Sequence, residues 1–375
     1  MIYLILGLFG LYFLLILALL AGWTKALAQP SLSDKTASSV PAVSVIVPFR
    51  NEATNLETLI RSLLAQTYPV SEVIFVDDHS VDGSLSVVSK TVQDHSFMKV
   101  ISSKGEGKKA ALTAGIECAS GEIIITTDAD CIHPAGWITG MVEPFADDRT
   151  KLAFSAVKIS AAAAPLQSLE FISVIATGVA LSGMGTPSFC NGASMAFRKS
   201  VFLDVGGYDG NAHIPSGDDQ FLLAKVVRQY PDGIRFINSP ESIVTTSPQP
   251  SIRRFLSQRI RWAGKWNAGA GAPSKALAVF MFVFQFACLA AWVLVLSGTS
   301  ARIAGFALMG KIIFDFVLLF NAGTFLGERV RLIPFLFLQI IYPFYVLFIG
   351  IGANFGRYSW KGRVQPANPK VPTQG

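Results

Sequence analysis

Long apolar runs at both ends of this chain restrict where anything water-soluble can fold. Met1–Trp23 is almost entirely apolar, and Ala276–Leu296, Ile303–Ala322 and Leu332–Ala353 follow toward the other end. About 20 such residues cross the hydrocarbon core of a bilayer as a helix. Of 375 residues, 51% are hydrophobic and only 15% charged, so an integral membrane protein is expected. What remains between the runs, roughly 230 residues, is enough for one domain with its own core.

The first run has a rival reading as a signal peptide, because Ala26-Leu27-Ala28 resembles a cleavage site. A membrane anchor is favoured, since no basic stretch precedes the run and the nearest cations, Lys25 and Lys35, follow it. That charge order puts the central domain in the cytoplasm. The expected organisation is a transmembrane helix over 1–24, a linker over 25–42, a globular domain over 43–250, an amphipathic interfacial helix over 251–270, membrane segments over 276–353 and a basic tail over 354–375. Three full crossings would leave Arg357, Lys361, Arg363 and Lys370 outside, against the positive-inside rule. One segment is therefore expected to be interfacial or re-entrant. Leu332–Ala353, which carries Pro334 and Pro343, is the candidate.

A net charge of +6 raises the question of nucleic acid, but no Lys/Arg tract interleaved with aromatics occurs in the globular part. Anionic lipid or a diphosphate suits the charge better. Cys118, Cys131, Cys190 and Cys288 lie far apart without the paired spacing of a zinc site, which fits a reducing compartment.

From Val43 short apolar strands alternate with helices. Strands are predicted at Val43–Val47, Glu72–Val76, Lys99–Ser102 and Glu122–Thr127, and helices at Asn55–Gln66, Asp82–Val92 and Gly107–Ala119. The alternation predicts an α/β fold with a doubly wound, mostly parallel sheet, which collects ligands at the carboxyl ends of its strands. One strand end holds two carboxylates, Asp128 and Asp130, in the stretch Gly121–Trp137. Taken alone, that stretch reads equally as a metal site or as an Asp-rich turn.

Several such strand ends carry a resemblance together. Val-Pro-Phe-Arg-Asn-Glu over 47–52, Val-Asp-Asp-His-Ser over 76–80, Gly-Lys-Lys-Ala-Ala-Leu over 107–112 and Thr-Asp-Ala-Asp over 127–130 are similar, in order and spacing, to the family 2 glycosyltransferases with the GT-A fold. The similarity runs from about Val43 to Trp262. It implies a nucleotide-sugar site that includes Pro48, Asn51 and Glu52, with Asp77 or Asp78 on the base and Lys108 near the phosphates or sugar. It further implies Asp130 as the direct ligand of Mg2+ or Mn2+ on the diphosphate, with Asp128 assisting the metal or contacting ribose or sugar. Phe189–Arg198, with Asn191 and Gly192, resembles the stretch lining the donor sugar pocket. The acidic pair of the family corresponds to Asp218-Asp219, which implies Asp219 as catalytic base. Ser216 and Asp219 also have the spacing of a helix capping box, and one residue can serve both ends.

Between Ser251 and Asn267, Arg254, Gln258, Arg261 and Lys265 form a polar stripe at helical spacing, flanked by Phe255, Trp262 and Trp266. A basic helix edged with tryptophan suits a membrane surface. Gln258-x-x-Arg261-Trp262 also matches the Gln-x-x-Arg-Trp motif of membrane-bound family members, which borders the acceptor and the diphosphate. Further on, Lys311 and Asp315 lie four apart inside an apolar run, in reach of each other and of either a lipid head group or another helix. Tyr358–Arg363 resembles a tail segment of membrane members of the family.

The resemblance as a whole implies an inverting, metal-dependent transfer of a sugar from a nucleotide-diphosphate donor, with UDP-sugar expected, to a lipid or glycan acceptor. It implies the inner membrane of a bacterium as the setting. A processive polysaccharide synthase is the alternative within the family, and a non-catalytic nucleotide-sugar-binding membrane protein the alternative outside it.

Overall fold

The structure, a computed structural model, describes residues 2–29, 41–212, 214–264, 272–360 and 363–366. Helix α1 (Ile2–Leu27) opens the chain, followed by β1 (Val43–Phe49), α2 (Ala53–Leu64), β2 (Glu72–Asp77), α3 (Ser84–Asp94), β3 (Met98–Ser102), α4 (Lys108–Cys118) and β4 (Ile123–Thr126). Next come β5 (Cys131–Ile132), α5 (Trp137–Val142), β6 (Leu152–Phe154), β7 (Val157–Ile159), α6 (Pro165–Gly183), β8 (Met195–Arg198) and α7 (Lys199–Asp204). Helix α8 (Asp218–Gln229), β9 (Ile234–Phe236), β10 (Val244–Thr246) and α9 (Ile252–Gly264) complete this part. Helices Ala272–Leu296, Ala301–Leu326 and Leu332–Phe355 and a hairpin of Arg357–Trp360 with Arg363–Pro366 close the chain. Contacts gather these elements into two units, one of Lys25–Ile159 with Leu181–Ser247, the other of Met1–Thr24, Ser160–Ala180 and Pro248–Gly375.

The first unit has the expected α/β fold, and residues 160–180 of the span expected for it fall in the other unit. The sheet of the first unit has the order β3-β2-β1-β4-β8-β6-β9, parallel from β3 to β4, with β8 antiparallel to its neighbours β4 and β6. Strands β1, β2 and β4 are buried along their whole length, as their runs of Val and Ile require. Pro48, expected just after β1, lies inside it opposite Val76. The last residue of β1 paired with β4 is Ile46, so the proline stands beyond that ladder. Helix α4 lies close over the sheet at Gly115, where a Cβ would come 2.6 Å from Ile46. At the opposite end of the strands Glu72 accepts hydrogen bonds from Ser44 Oγ (2.7 Å), Ser120 N (2.5 Å) and Ser120 Oγ (2.7 Å) and pairs with Lys99 at 2.6 Å. Burial opposes its ionisation, but these partners lower the carboxyl to about 2.

In the second unit α1 packs by aromatic contacts on the helices near the other end of the chain: Tyr12 stacks on Phe284 at 4.2 Å and Phe13 on Phe314 at 5.0 Å. Among the described residues five helices are long and apolar enough to cross a membrane: α1, α6, Lys275–Leu296, Ala301–Leu326 and Leu332–Phe355. Helix α6 was not foreseen as one of them. It has the lowest hydropathy of the five, and most of its most apolar stretch is buried against protein. Leu332–Phe355 is continuous, so the prolines do not interrupt it as expected. Pro334 falls in the first turn, where its missing N–H has no helical acceptor to lose, and Pro343 is accommodated within the helix. Lys311 and Asp315 pair at 2.7 Å along one helix, and both reach other helices: Lys311 Nζ donates to Gln339 Oε1 at 2.6 Å and Tyr12 Oη to Asp315 Oδ1 at 2.5 Å. Of the two readings of this pair, the structure supports a link between helices. All four cysteines are free thiols. Lys265, Trp266 and residues 30–40 of the expected linker lie outside the described residues.

Candidate active site

The centre of the α/β unit is built where β4 stops. Thr126 Oγ1 donates to Gly192 O at 2.8 Å and so ties the strand end to the segment that holds Asn191 and Gly192. Next in the chain, Thr127 Oγ1 is 2.7 Å from His133 Nε2, and Ser62 Oγ is 3.0 Å from His133 Nδ1. Burial pushes this imidazole down to about 3, so it is a neutral brace for the turn that presents Asp128 and Asp130.

Lys108 joins that turn to α8. Its ammonium lies 2.6 Å from Asp128 Oδ1 and 3.1 Å from Asp218 Oδ2. Burial alone would lower its pKa, yet the carboxylates of Asp128, Asp218 and Asp219 raise it well above the ordinary lysine value. The backbone that starts α4 is fixed in turn by Asp78, whose Oδ1 accepts from Gly107 N at 2.9 Å. Gly107 has φ +96°, a conformation that favours glycine.

Asp218 and Asp219 open α8, and Gly217, at φ +86°, is the N-cap. Gly217, not Ser216, takes the cap position, so the capping box expected with Ser216 as the cap is displaced by one residue. Asp219 Oδ2 instead accepts from Gly192 N at 3.3 Å and its Oδ1 from Gln220 N at 2.7 Å. Asp218 is buried at 6% exposure, whereas Asp219 is part-buried. Asn191 Oδ1 accepts from Ala193 N at 3.0 Å, which shapes the loop around Gly192. A Cβ on Gly192 would stand 3.0 Å from Asp218 Oδ2 and 3.4 Å from Lys108 Nζ, so the cluster closes over a residue without a side chain.

The ends of β1 and β2 meet beside one another. Asn51 N donates to Ser80 Oγ (3.1 Å), Val81 N to Asn51 Oδ1 (2.9 Å) and Glu52 N to Ser84 Oγ (2.7 Å). Asn51 and His79 both adopt positive φ, 52° and 58°. Asp77 and Asp78 are buried, and Asp77 Oδ1 accepts from Ser80 N at 3.0 Å. Asp77 therefore holds its own loop, and Asp78 holds the start of α4. Gln258, Arg261 and Trp262 lie on α9 in the other unit, where Trp262 packs its ring 5.9 Å from Phe171.

Tyr208, which follows Gly206 and Gly207, carries no role from the sequence alone. Its hydroxyl is buried with no hydrogen-bond partner, and burial together with the charge of Asp218 raises its pKa well above the usual tyrosine value. The visible signal was the pair of glycines before it, both at positive φ (68° and 42°).

The carboxylates that could hold a metal at this turn are Asp128 and Asp130. Cys131 Sγ is 3.8 Å from Asp130 Oδ1, but burial first and then these carboxylates raise its pKa well above the thiol range, which keeps it protonated. Among the described residues no cluster of three or more His, Cys, Asp or Glu side chains is arranged to hold a metal by itself. Two hard oxygen donors fit Mg2+ or Mn2+, which take one or two protein carboxylates and complete their shell with substrate phosphates and water.

Comparison with known proteins bears on the family and the fold. Residues 44–206 match the family model described as Glycosyl transferase family 2, and residues 161–349, half of the chain, match that of Glycosyl transferase family group 2. The cholesterol galactosyltransferase of Borreliella burgdorferi is 40% identical over 88 residues, 24% of this chain and 25% of that protein. The poly-beta-1,6-N-acetyl-D-glucosamine synthase of Staphylococcus epidermidis is 23% identical over 271 residues, 68% of this chain and 63% of that one. The chain thus spans less than two thirds of either relative. A solved mannosyltransferase from Pyrobaculum calidifontis, in complex with GDP-Man and Mn2+, superposes with a TM-score of 0.57 at 20% identity, over 93% of this chain and 95% of that one, and so shares the fold. With an α/β sheet of that type, apolar helices at both ends and family models that match in succession from residue 44 to residue 349, the chain belongs to the family 2 glycosyltransferases.

Proposed function

We propose that the chain transfers a sugar from a nucleotide-diphosphate donor, UDP-sugar in the first instance, to a lipid or lipid-linked acceptor at a membrane, with inversion at the anomeric carbon. The observation that carries the reading is the bridge of Lys108 between Asp128 and Asp218, which gathers the end of β4 and the start of α8 around one ammonium beside Gly192. Asp219 is the general base. It is the less buried member of its pair, and two backbone N–H groups keep its carboxylate aimed while it removes the proton of the acceptor hydroxyl. The attacking oxygen then bonds to the anomeric carbon as the bond to the diphosphate breaks on the opposite side.

Negative charge grows on the departing diphosphate, and Lys108, held cationic by its carboxylates, is placed to offset it. Asp130, with Asp128, would hold Mg2+ or Mn2+, which supplies Lewis-acid neutralisation of the diphosphate when bound. Pro48, Asn51, Glu52, Asp77 and Asp78 form the nucleotide side of the site, and Gln258, Arg261 and Trp262 serve the acceptor and diphosphate, as the family resemblance implies. The inner membrane of a bacterium is the proposed location, with the α/β unit in the cytoplasm.

A second reading, processive synthesis of a polysaccharide, draws on the similarity over 68% of this chain to a polymer synthase. Full-length protein in lipid nanodiscs, incubated with a panel of radiolabelled nucleotide-sugars and native lipid extract, separates the two. Single transfer places one sugar on lipid, and the alternative yields a long chain. Absence of any metal-dependent transfer or donor hydrolysis across the panel would refute both.

A further inference from the structure

Arg259 sits within the Gln258-x-x-Arg261-Trp262 element but is none of its three named positions. It is 3% exposed, and a guanidinium buried that far needs partners for its edges. Glu170 on α6, itself 5% exposed, meets it in fork geometry: Nε donates to Oε1 at 2.8 Å and to Oε2 at 3.0 Å, and Nη2 donates to Oε2 at 2.5 Å. Tyr345, on the Leu332–Phe355 helix, donates its hydroxyl to Glu170 Oε1 at 2.8 Å. The pair is thereby fastened to two elements other than α9.

Most of the remaining surface of the guanidinium is taken by α9 itself, with the Phe171 ring of α6 5.8 Å away. Nη1 donates to Gln258 Oε1. The rings of Phe255 and Trp262 lie 4.6 Å and 4.3 Å from the guanidinium carbon, at the helical spacing that puts positions 255, 259 and 262 on one face. Replacing a buried ion pair by apolar residues of similar volume is often neutral or stabilising, so stability alone does not call for an arginine here. A planar fork engaged at its edges and faces does something an apolar side chain does not: it fixes the orientation of its neighbours.

We infer that Arg259 is a positioning residue for sugar transfer, anchored by Glu170 and Tyr345 and holding the Gln258 amide and the Trp262 indole in their working orientation. The inference rests on the reading that the Gln258-x-x-Arg261-Trp262 element takes part in transfer.

The test is a double-variant cycle on the full chain in nanodiscs, with Arg259→Lys, Tyr345→Phe, Trp262→Ala and the double variants Arg259→Lys/Trp262→Ala and Tyr345→Phe/Trp262→Ala. Turnover is read with UDP-[14C]glucose or whichever donor of the panel is used, nucleotide binding with UDP, and folding by thermal melting. Arg259→Lys is expected to lower kcat by about tenfold or more while the Kd for UDP stays within about twofold, the pattern of a lost transition-state contact. Tyr345→Phe lowers kcat by a smaller factor. Each double variant is expected to lose less than the product of the two single losses, because the Trp262 share of the contact is already gone. If Arg259→Lys does not fold, the Tyr345/Trp262 cycle gives the same reading. Wild-type kcat in Arg259→Lys, or in Tyr345→Phe where that cycle is used, or losses that multiply in the double variants, would overturn the inference and leave the element's role intact. A fully active Trp262→Ala would remove that role and the inference with it.

Discussion

Lys108 and Asp218 form an ion pair at 3.1 Å across the opening of α8, and the same ammonium holds Asp128 at 2.6 Å. Two carboxylates therefore share one cation. Lys108→Met should remove the ammonium that Asp128 and Asp218 share and lower stability by ~1–3 kcal/mol. Transfer should fall by about 100-fold or more, in keeping with loss of one charge-stabilising group. Because its folded pKa is raised, Lys108 contributes fully below the unfolded lysine value of about 10.4, and the contribution fades only as pH climbs past it. Chemical denaturation of wild type and variant from pH 7 to 11 should show a gap that is constant to about pH 10 and then narrows.

Asp219→Asn keeps the shape of the residue that accepts from Gly192 N and Gln220 N but cannot take a proton. UDP titration by calorimetry should give near-normal binding, and transfer should drop by ~10²–10⁴. A variant that turns over at a near-normal rate would end the assignment of Asp219 as base.

Glu72 offers a test of the fold apart from the chemistry. Its carboxyl, at about 2 in the folded chain, gives stability that is present above the unfolded value near 4.3 and lost as pH falls through about 2. Glu72→Gln should cost about 2 kcal/mol at pH 7, and the difference from wild type should shrink steadily between pH 4.5 and pH 2. An unchanged difference at pH 2.5 and pH 7 would show that the loss comes from packing and not from the charge.

The parts of the chain most legible in its sequence are those governed by a short period. Runs of Val and Ile announced β1, β2 and β4 to within about two residues, because buried parallel strands have few other compositions. Asp128, Asp130, Asp218 and Lys108 were legible as loop residues at strand and helix ends, but only the fold could bring Lys108 between two carboxylates 20 and 110 positions further along the chain. Glu170 and Arg259, 89 positions apart, were silent for the same reason: each looks like an ordinary polar residue until its partner is known. Helix α6 was missed because its polar residues dilute the apolar signal that identifies the other long helices. The capping box failed on a local detail, since a glycine in the left-handed region displaced Ser216 from the cap.

The cluster of Tyr12, Lys311, Asp315 and Gln339 bears on how the apolar helices find each other. Leucine and phenylalanine side chains pack almost as well after a helix slides by one turn, so apolar contacts alone leave several near-equal alignments. A slide of about 5.4 Å would strand the Lys311 ammonium away from Gln339, or the Asp315 carboxylate away from Tyr12, in a medium that does not solvate charge. Four polar side chains thus act as the index marks of the bundle, and they favour one of those alignments over the others.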